Sequence, residues 1–284
     1  MIDYCMLYIV ATPIGNLMDI SYRSIEVLQQ VDLIVVEDTR RSQILLRHYN
    51  INIKTISLHE HNEKQIVDKL LDFLQQGQKI ALISDAGTPL ISDPGYHLVR
   101  KAHLLKIPVS PIPGPSSVIT AISVSGLATD QFIFIGFLPA KLQQKQKVLL
   151  DLSVEKRTMV FFESPHRLLE TVKCMQKAFN SDREATFCRE LTKKFETVIL
   201  DNLANIYNFI DSDKSQQTKG EIVLVVAGLK NKDVGATQEI DLKTHDILKI
   251  LLTELPLTKV ASVAAKITGI SKKKLYEYCL SVLR

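Results

Sequence analysis

The chain has 284 residues, of which 46% are hydrophobic and 23% charged, a composition typical of a globular protein with room for two domains. No apolar run approaches the ~20 residues of a membrane-spanning helix, and the N-terminus lacks the basic region and cleavage site of a signal peptide. Four widely spaced cysteines without a CxxC pair argue against zinc sites and disulfides. We expect a cytoplasmic protein that holds no metal and contacts no membrane.

The formal net charge of +4 is concentrated at the C-terminal end. Residues 241–284 contain eight of the 35 lysines and arginines but only four of the 31 acidic residues, so the rest of the chain is neutral. A basic appendage on a neutral body points to a nucleic-acid partner. A solvated helical face would carry the same charges without any partner.

Strand and helix patterns alternate through the first third of the chain. Apolar runs indicate five buried strands, and helical periodicity covers 19–30 and 63–75. Since strands separated by ~10–15-residue helices form right-handed crossovers, the pattern predicts a parallel sheet in a domain of residues 1–125. The strands are Leu7–Ala11, Leu33–Val36, Ile53–Leu58, Ile80–Ser84 and Pro108–Pro113.

After residue 125 the predicted strands follow one another more closely. Two of them fall within 195–226, so a second α/β domain of residues 126–232 is expected to hold a mixed sheet. Helices are predicted at 141–153, 165–179 and 202–212, and the polar stretch 211–220 is predicted to be a mobile surface loop. The strands are Phe132–Phe137, Thr158–Glu163, Ala185–Arg189, Phe195–Leu200 and Glu221–Val226.

A segment with the composition of a linker, 230–240, leads to a small helical domain of residues 240–284. Helices at 244–255, 260–267 and 273–283, with Gly269 in a short turn and Ser271 as an N-cap, have the spacing of a helix-turn-helix. Lys272, Lys273 and Lys274 open its second helix, where side chains can meet phosphates. A helical cap without a ligand fits the same pattern.

The most informative segment is 84–95, SDAGTPLISDPG, which directly follows the fourth strand. Two carboxylates, two glycines and two prolines are more than a plain turn requires, and ligands of open α/β sheets bind outside the carboxyl ends of strands. Polar clusters also follow three other strands, at 12–16, 37–40 and 113–117. We expect the four clusters to form one pocket, although Ser116 or Ser117 would equally serve as a plain helix cap.

Other site classes find little support. The chain has no GxGxxG, no P-loop and no GxSxG, which argues against a dinucleotide site, a Walker-type site and a serine nucleophile. His59-Glu60-His61 lacks a third metal ligand. Two further charged groups, 163–167 and 189–196, lie at strand ends and are either buried with partners or solvated loops.

Eight ordered motifs resemble the ribosomal small-subunit RNA methyltransferase I family, within the tetrapyrrole-methylase superfamily. They are VATPIGNLMDIS, EDTRRS, SDAGTPLISDPG, PIPGPSSVITA, GFLP, FFESPHRL, CRELTKKFE and KGEIVLVVAG, spanning about Leu7 to Gly228. The resemblance implies two α/β domains with S-adenosylmethionine in the cleft between them, and a homodimer. The implied activity is 2′-O-methylation of the ribose of a decoding-centre cytidine in 16S rRNA, on naked RNA or the small ribosomal subunit.

The resemblance also implies which residues contact the methyl donor. Where relatives carry Gly-Asp-Pro after the fourth strand, this chain has Ser84-Asp85 and then Ala86-Gly87-Thr88-Pro89, so the match there is partial. The positions that match the donor site are Pro13, Ile14, Asp85, Gly87, Thr88, Ser117, Val118, Phe162, Gly220 and Glu221.

A ribose hydroxyl is a poor nucleophile and benefits from a base, for which Glu163 is the first candidate, followed by Asp93 and His59. Arg40, Arg167, Arg189 and Lys193 are expected to clamp RNA phosphates together with Lys272, Lys273 and Lys274. Two other functions fit the sequence: a methyltransferase of a tetrapyrrole or another small metabolite, and a non-catalytic RNA-binding module. The sequence leaves open the nucleotide, the base and the dimer interface.

Overall fold

The computed structural model describes residues 5–59, 62–229 and 242–282. The described chain forms two compact units, the first containing residues 5–150 and 158–227 and the second containing 151–157 with the C-terminal helices. The domain limits suggested by the sequence stay predictions, and the linker at 230–240 lies outside the described residues. Among these residues no helix is both long and apolar enough to cross a bilayer.

The first sheet has five strands, all parallel, as predicted. Their order is β3-β2-β4-β1-β5, so β1 lies between β4 and β5, pairing Ile9 with Leu82 and with Pro111. The strands are β1 Met6–Val10, β2 Leu33–Val36, β3 Thr55–Ser57, β4 Lys79–Leu82 and β5 Val109–Ile112. The helices are α1 Tyr22–Gln30, α2 Thr39–His48, α3 Glu63–Gln75, α4 Tyr96–Leu104 and α5 Ser117–Val124. Neither α2 nor α4 is among the elements that periodicity predicts.

The second sheet is mixed, which confirms the prediction. Its order is β6-β7-β10-β8-β9; β6 and β7 are parallel, and the other neighbours are antiparallel. The strands are β6 Phe132–Phe137, β7 Thr158–Glu163, β8 Glu184–Arg189, β9 Thr197–Asn202 and β10 Ile222–Val226. The helices are α6 Leu142–Asp151, α7 Leu168–Phe179, α8 Leu203–Ser212 and α9 Lys214–Gln217.

Two predictions about this half are corrected. Residues 165–167 form a 3₁₀ turn, so the α-helix begins at Leu168 and not at 165. The polar stretch 211–220 is not only a loop, because it contains the short helix α9 and the buried side chain of Gln217. An ion pair between Lys214 and Asp211, 2.7 Å apart, joins α9 to the end of α8.

Apolar side chains cover both faces of the first sheet, in two separate clusters. A third cluster joins the two sheets, since Val118, Ala121 and Ile122 of α5 pack against Val160 of β7 and Val225 of β10. The helix that follows β5 is therefore part of the core of the second sheet. This packing places the carboxyl ends of the first sheet beside those of β7 and β8.

The C-terminal unit contains the three predicted helices, α10 Leu242–Glu254, α11 Leu257–Thr268 and α12 Lys272–Val282. Gly269 ends α11 with φ of +73°, a left-handed conformation that glycine adopts without steric cost. The Ser271 hydroxyl accepts a hydrogen bond from Lys274 N at 3.4 Å, which agrees with its prediction as an N-cap. Ala261, Ala264 and Leu275 are buried between the helices.

Candidate functional site

Main-chain and side-chain hydrogen bonds join the polar strand ends that follow β1, β4 and β5. Thr12 and Gly87 exchange two backbone hydrogen bonds of 2.9 and 3.0 Å, and the Thr12 hydroxyl donates to Ser84 O at 3.1 Å. The Thr88 hydroxyl donates to Pro115 O at 3.1 Å. The loops after β1, β4 and β5 therefore form one connected surface at the carboxyl edge of the first sheet.

The loop after β4 has an unusual backbone. Gly87 and Gly95 have φ of +82° and +122°, and so do two residues that are not glycine, Leu90 at +72° and Ser92 at +69°. A left-handed conformation at such residues costs about 1–3 kcal/mol each and needs support from its surroundings. Part of that support comes from Glu63, whose buried carboxylate accepts hydrogen bonds from Gly95 N at 3.2 Å and His97 N at 3.1 Å.

A cavity of about 420 Å³ lies between these loops and the ends of the second sheet. Ten of the residues predicted for the donor and base sites line it: Ile14, Asp85, Gly87, Thr88, Asp93, Ser117, Phe162, Glu163, Gly220 and Glu221. Three others do not. Pro13 is buried, Val118 packs in the core cluster of α5, and His59 is exposed beyond β3.

Three carboxylates of the first sheet face the cavity, those of Glu37, Asp85 and Asp93. Asp85 is held in place because its side chain accepts from Asp38 N at 3.0 Å and from Arg41 Nη1 at 3.3 Å. Burial, followed by the nearby charges of Glu37 and Asp85, raises the pKa of Asp93 to about 6, although a hydrogen bond with Ser84 opposes part of the rise. Burial and Asp85 also raise the pKa of Glu37.

Glu163, at the end of β7, is in a different situation. Its side chain is fully buried, accepts hydrogen bonds from Ser164 N at 2.7 Å and from the Thr171 hydroxyl, and lies 3.5 Å from Arg167 Nε. The Thr171 hydroxyl also accepts from the buried ammonium of Lys145 at 3.0 Å. The carboxylate thus lies in a network of donors that connects β7 to α6 and α7.

The loop 190–196 closes one side of the cavity. Thr192 Oγ1 accepts from Asn16 N at 3.2 Å, and Lys193 Nζ donates to Glu190 Oε1 at 2.8 Å and to Glu221 Oε2 at 3.1 Å. The contact is so close that a Cβ on Gly15 would lie 2.3 Å from Lys193 Cγ. We call this set of contacts the clasp. It holds the loop after β1 against the loop before β10.

The predicted phosphate-binding residues fall into two groups. Arg40 is exposed at the start of α2, as are Lys272 and Lys273 at the start of α12, where Lys274 is half-buried. The other three are engaged within the protein. Arg167 donates to Pro139 O at 3.0 Å, Arg189 is buried and donates to Phe195 O and Thr197 Oγ1 at 3.1 Å each, and Lys193 belongs to the clasp.

Several cavity residues escaped prediction from the sequence. Glu37 belongs to the predicted cluster 37–40 and Arg41 directly follows it, but only the phase of α2 places Arg41 at the cavity and Arg40 away from it. Phe137 lies in an apolar stretch, and Cys188 and Leu191 are the apolar residues that border and interrupt the charged group 189–196. Burial raises the pKa of Cys188 to about 12, so its thiol stays protonated and forms part of the cavity wall. Among the described residues no group of three His, Cys, Asp or Glu could hold a metal ion.

Two family models match the chain. The tetrapyrrole (corrin/porphyrin) methylases match residues 6–207, and a model described as the RsmI C-terminal HTH domain matches residues 238–282. Proteins named ribosomal RNA small subunit methyltransferase I are similar over almost the whole chain. The protein from Vibrio cholerae is 49% identical over 98% of this chain and 95% of its own, and that from Pasteurella multocida is 47% identical over 97% and 96%.

Solved structures share the fold of the α/β part at low sequence identity. A cobalt precorrin-4 methyltransferase has a TM-score of 0.58 and 17% identity, covering 78% of this chain and 95% of its own. A uroporphyrin-III C-methyltransferase from Thermus thermophilus has a TM-score of 0.56 and 15% identity, covering 78% and 94%.

Proposed function

Because the chain belongs to the tetrapyrrole methylase family, in the group of the ribosomal RNA small subunit methyltransferases I, we propose that it methylates rRNA with S-adenosylmethionine. The finer proposal is transfer to the ribose 2′-oxygen of a cytidine in the decoding centre of 16S rRNA, by a cytoplasmic homodimer. The observation that carries a methyl-transfer site is the cavity itself, in which a cluster of carboxylates faces an apolar wall.

The residues of the cavity fit the donor. Its volume of about 420 Å³ is within the range of small-molecule sites, and Ile14, Phe162 and Val223 offer an apolar surface to a flat ring. Asp85, Asp93 and Glu37 provide the negative charge that a positively charged sulfonium group requires. When bound, the donor supplies a methyl group already activated on sulfur. Asp85, Gly87, Thr88, Ser117, Gly220 and Glu221 are the residues we assign to holding it.

Asp93 is the residue that we assign to accepting the proton of the ribose hydroxyl. A general base works best when its pKa lies near the working pH, and a value of about 6 leaves the carboxylate ionised but basic at neutral pH. Glu163 also borders the cavity, but its oxygens are occupied by Thr171, Ser164 and Arg167. We therefore assign Glu163 to positioning the end of β7, and we assign no proton transfer to His59.

The helical unit supports an RNA substrate. Lys272, Lys273 and Lys274 begin α12, where the helix dipole is positive and lysine side chains are unfavourable. A phosphate at this end would be bound by both the dipole and the lysines. With Arg40 on the α/β body, we assign these three lysines to phosphate contacts.

The function is tested by mapping ribose methylation in rRNA from cells that lack the protein. We expect one 2′-O-methylcytidine to disappear from the decoding region of 16S rRNA and to return when the wild-type gene is supplied. An unchanged map, together with donor binding measured by calorimetry, would favour a small-metabolite methyltransferase. An unchanged map without donor binding would favour a non-catalytic RNA-binding module.

The role of the lysines is tested with the variant K272Q/K273Q/K274Q on purified small subunits. Replacing three phosphate contacts should lower the slope of log affinity against log salt by about 2–3. The control is Lys266→Gln, which removes one charge from the last turn of α11. A slope equal to that of the wild type would mean that the lysines form only a solvated face.

A further inference from the structure

The strand β6 contains an irregularity next to the cavity. It pairs with β7 through Phe134 and Val160 and then through Gly136 and Phe161, so Ile135 is an extra residue without a partner in the register. Gly136 has φ of +73°, which fits a bulge. Such bulges change the direction of the side chains that follow them.

The bulge determines where Phe137 lies. In a regular strand, residues three positions apart point to opposite faces, so Phe134 and Phe137 would be separated by the sheet. Instead both rings contact the ring of Phe162, with centroid distances of 4.8 and 5.5 Å. The register shift therefore places Phe137 on the cavity side of β6.

Phe137 differs from its aromatic neighbours in exposure. Its side chain is 56% exposed, whereas Phe134 and Phe162 are both partly buried in the core cluster that contains α5. It lines the cavity together with Ser92 and Asp93. An aromatic ring that is fixed at its edge by another ring, yet largely open to solvent beside a candidate base, is a surface suited to a flat ligand.

We propose that Phe137 stacks against the nucleobase of the nucleotide that is methylated. The inference rests on the proposed function and adds to it a contact with the base. A nucleotide within folded RNA must leave its neighbours before its ribose can enter a cavity, and the base then loses its stacking partners. An exposed aromatic ring replaces one of them, as in proteins that bind unpaired RNA. The ribose of a base on Phe137 would lie toward Asp93.

A contact between the Phe137 ring and the adenine of the donor is the alternative, and the exposure of the Phe137 side chain argues against it. A wall that holds the donor is expected to be covered, as Phe162 and Ile14 are, because a donor held in this cavity would be buried between the ends of the two sheets. Phe137 lies at the open side of the cavity and next to the group that receives the substrate proton. Its effect should therefore appear in the kinetics of the RNA and not in the binding of the donor.

The test compares Phe137→Leu, Phe137→Tyr and the control Phe132→Leu, which changes another exposed phenylalanine at the opposite end of β6. Methyl transfer from tritiated S-adenosylmethionine is measured on small ribosomal subunits from cells lacking the protein, and donor affinity is measured by calorimetry. Loss of one stacked base should raise KM for the subunits about 5- to 100-fold in Phe137→Leu. Donor affinity, Tm and the Phe132→Leu kinetics should stay within twofold or a few degrees of the wild type.

Restoration of KM by Phe137→Tyr would support stacking, because tyrosine keeps the ring. A KM for the subunits within twofold of the wild type in Phe137→Leu would overturn the proposal, as would a rise in donor Kd as large as the rise in KM. If Phe137→Leu does not fold, the proposal is contradicted by a Phe137→Tyr variant that folds but has a KM for the subunits at least about 5-fold above that of the wild type. A wild-type protein that labels no ribose 2′-oxygen would refute the proposed function, and the stacking role with it.

Discussion

Both sheets end in charged clusters at the cavity, but one cluster consists mainly of carboxylates and the other of paired acidic and basic groups. At the ends of the first sheet, burial and the charges of Glu37 and Asp85 raise the pKa of Asp93, and burial and Asp85 raise that of Glu37. Arg41 forms an ion pair with Asp85. At the ends of the second sheet, acidic and basic groups are matched, with Glu163 beside Arg167 and Lys193 between Glu190 and Glu221.

This difference indicates that the two clusters have different roles, one in reaction and one in holding the loops in place. Partly buried carboxylates that lie close together cost free energy, and such clusters concentrate at sites where a ligand or a reaction uses them. Matched charges instead fix the positions of loops, at little net gain in stability. We infer that the first sheet supplies the reactive side of the cavity and the second sheet its fixed wall.

The largest expected effect is that of Asp93→Asn. Removing the base should lower kcat about 10²- to 10⁴-fold, while the donor still binds. In the wild type, kcat should fall as the pH decreases through about 6, since the carboxylate becomes protonated. Rapid-quench methyl transfer between pH 5 and 8, with donor calorimetry, measures both.

The same variant should also be more stable than the wild type at high pH. The folded-state pKa of Asp93 is raised above its unfolded value, so its ionisation destabilises the fold above about pH 6, and the penalty vanishes below the unfolded value of 3.8. We expect Asp93→Asn to raise Tm at pH 8 and not at pH 3.5. A lower Tm at pH 8 would contradict the assigned cost of burying an ionised carboxylate beside Glu37 and Asp85.

A second variant, Glu163→Gln, tests the matched side. It should lower the free energy of unfolding by about 2–3 kcal/mol, because the buried Thr171 hydroxyl and the half-buried Arg167 lose a charged acceptor. The kcat of the folded Glu163→Gln protein should decrease far less than that of Asp93→Asn. The control Asp68→Asn breaks an exposed pair with Lys101 and should cost below about 1 kcal/mol. A kcat as low as that of Asp93→Asn would return Glu163 to the role of base.

Lys193→Met tests whether Lys193 stabilises the loops around the cavity or contacts an RNA phosphate. Glu190 and Glu221 lose their shared cation, so KM for the donor should rise a few-fold and stability should fall by about 1 kcal/mol. The neighbouring Lys194→Met removes an exposed charge and is the control. The salt dependence of RNA binding should stay unchanged in Lys193→Met, whereas a phosphate clamp would lose a slope of about 1.

The smallest effect is that of Ser92→Gly, on the reactive side. Glycine relieves the left-handed conformation at φ of +69° but enlarges the entropy of the unfolded chain, so we expect a net stabilisation of about 0.5 kcal/mol. Chemical denaturation measures it. The control Ser123→Gly lies in α5 and should destabilise by a similar amount. Destabilisation by Ser92→Gly would mean that the Ser92 side chain itself supports the loop.

Much of this arrangement is predictable from the sequence, for physical reasons that also mark the limits. The two sheets follow from apolar runs bounded by Gly and Pro, and polar clusters at the ends of parallel strands meet because those ends share an edge. Whether Lys193 and Arg189 are solvated depends on their partners. These are Glu221, 28 residues from Lys193, and Thr197, 8 residues from Arg189, and the helix and strand periods do not reveal either contact. The position of Phe137 depends on a bulge that interrupts the period of two on which strand prediction relies.

Glu63 has a consequence for where negative charge can enter the molecule. The start of α4 beside the cavity is already occupied by an internal carboxylate, which takes the two amide hydrogens that a phosphate would seek. The start of α12 carries three lysines and no acidic residue in its first turn. The start of α4 is therefore closed to external anions, whereas the start of α12 is open to them, which agrees with the proposed phosphate contacts of its lysines.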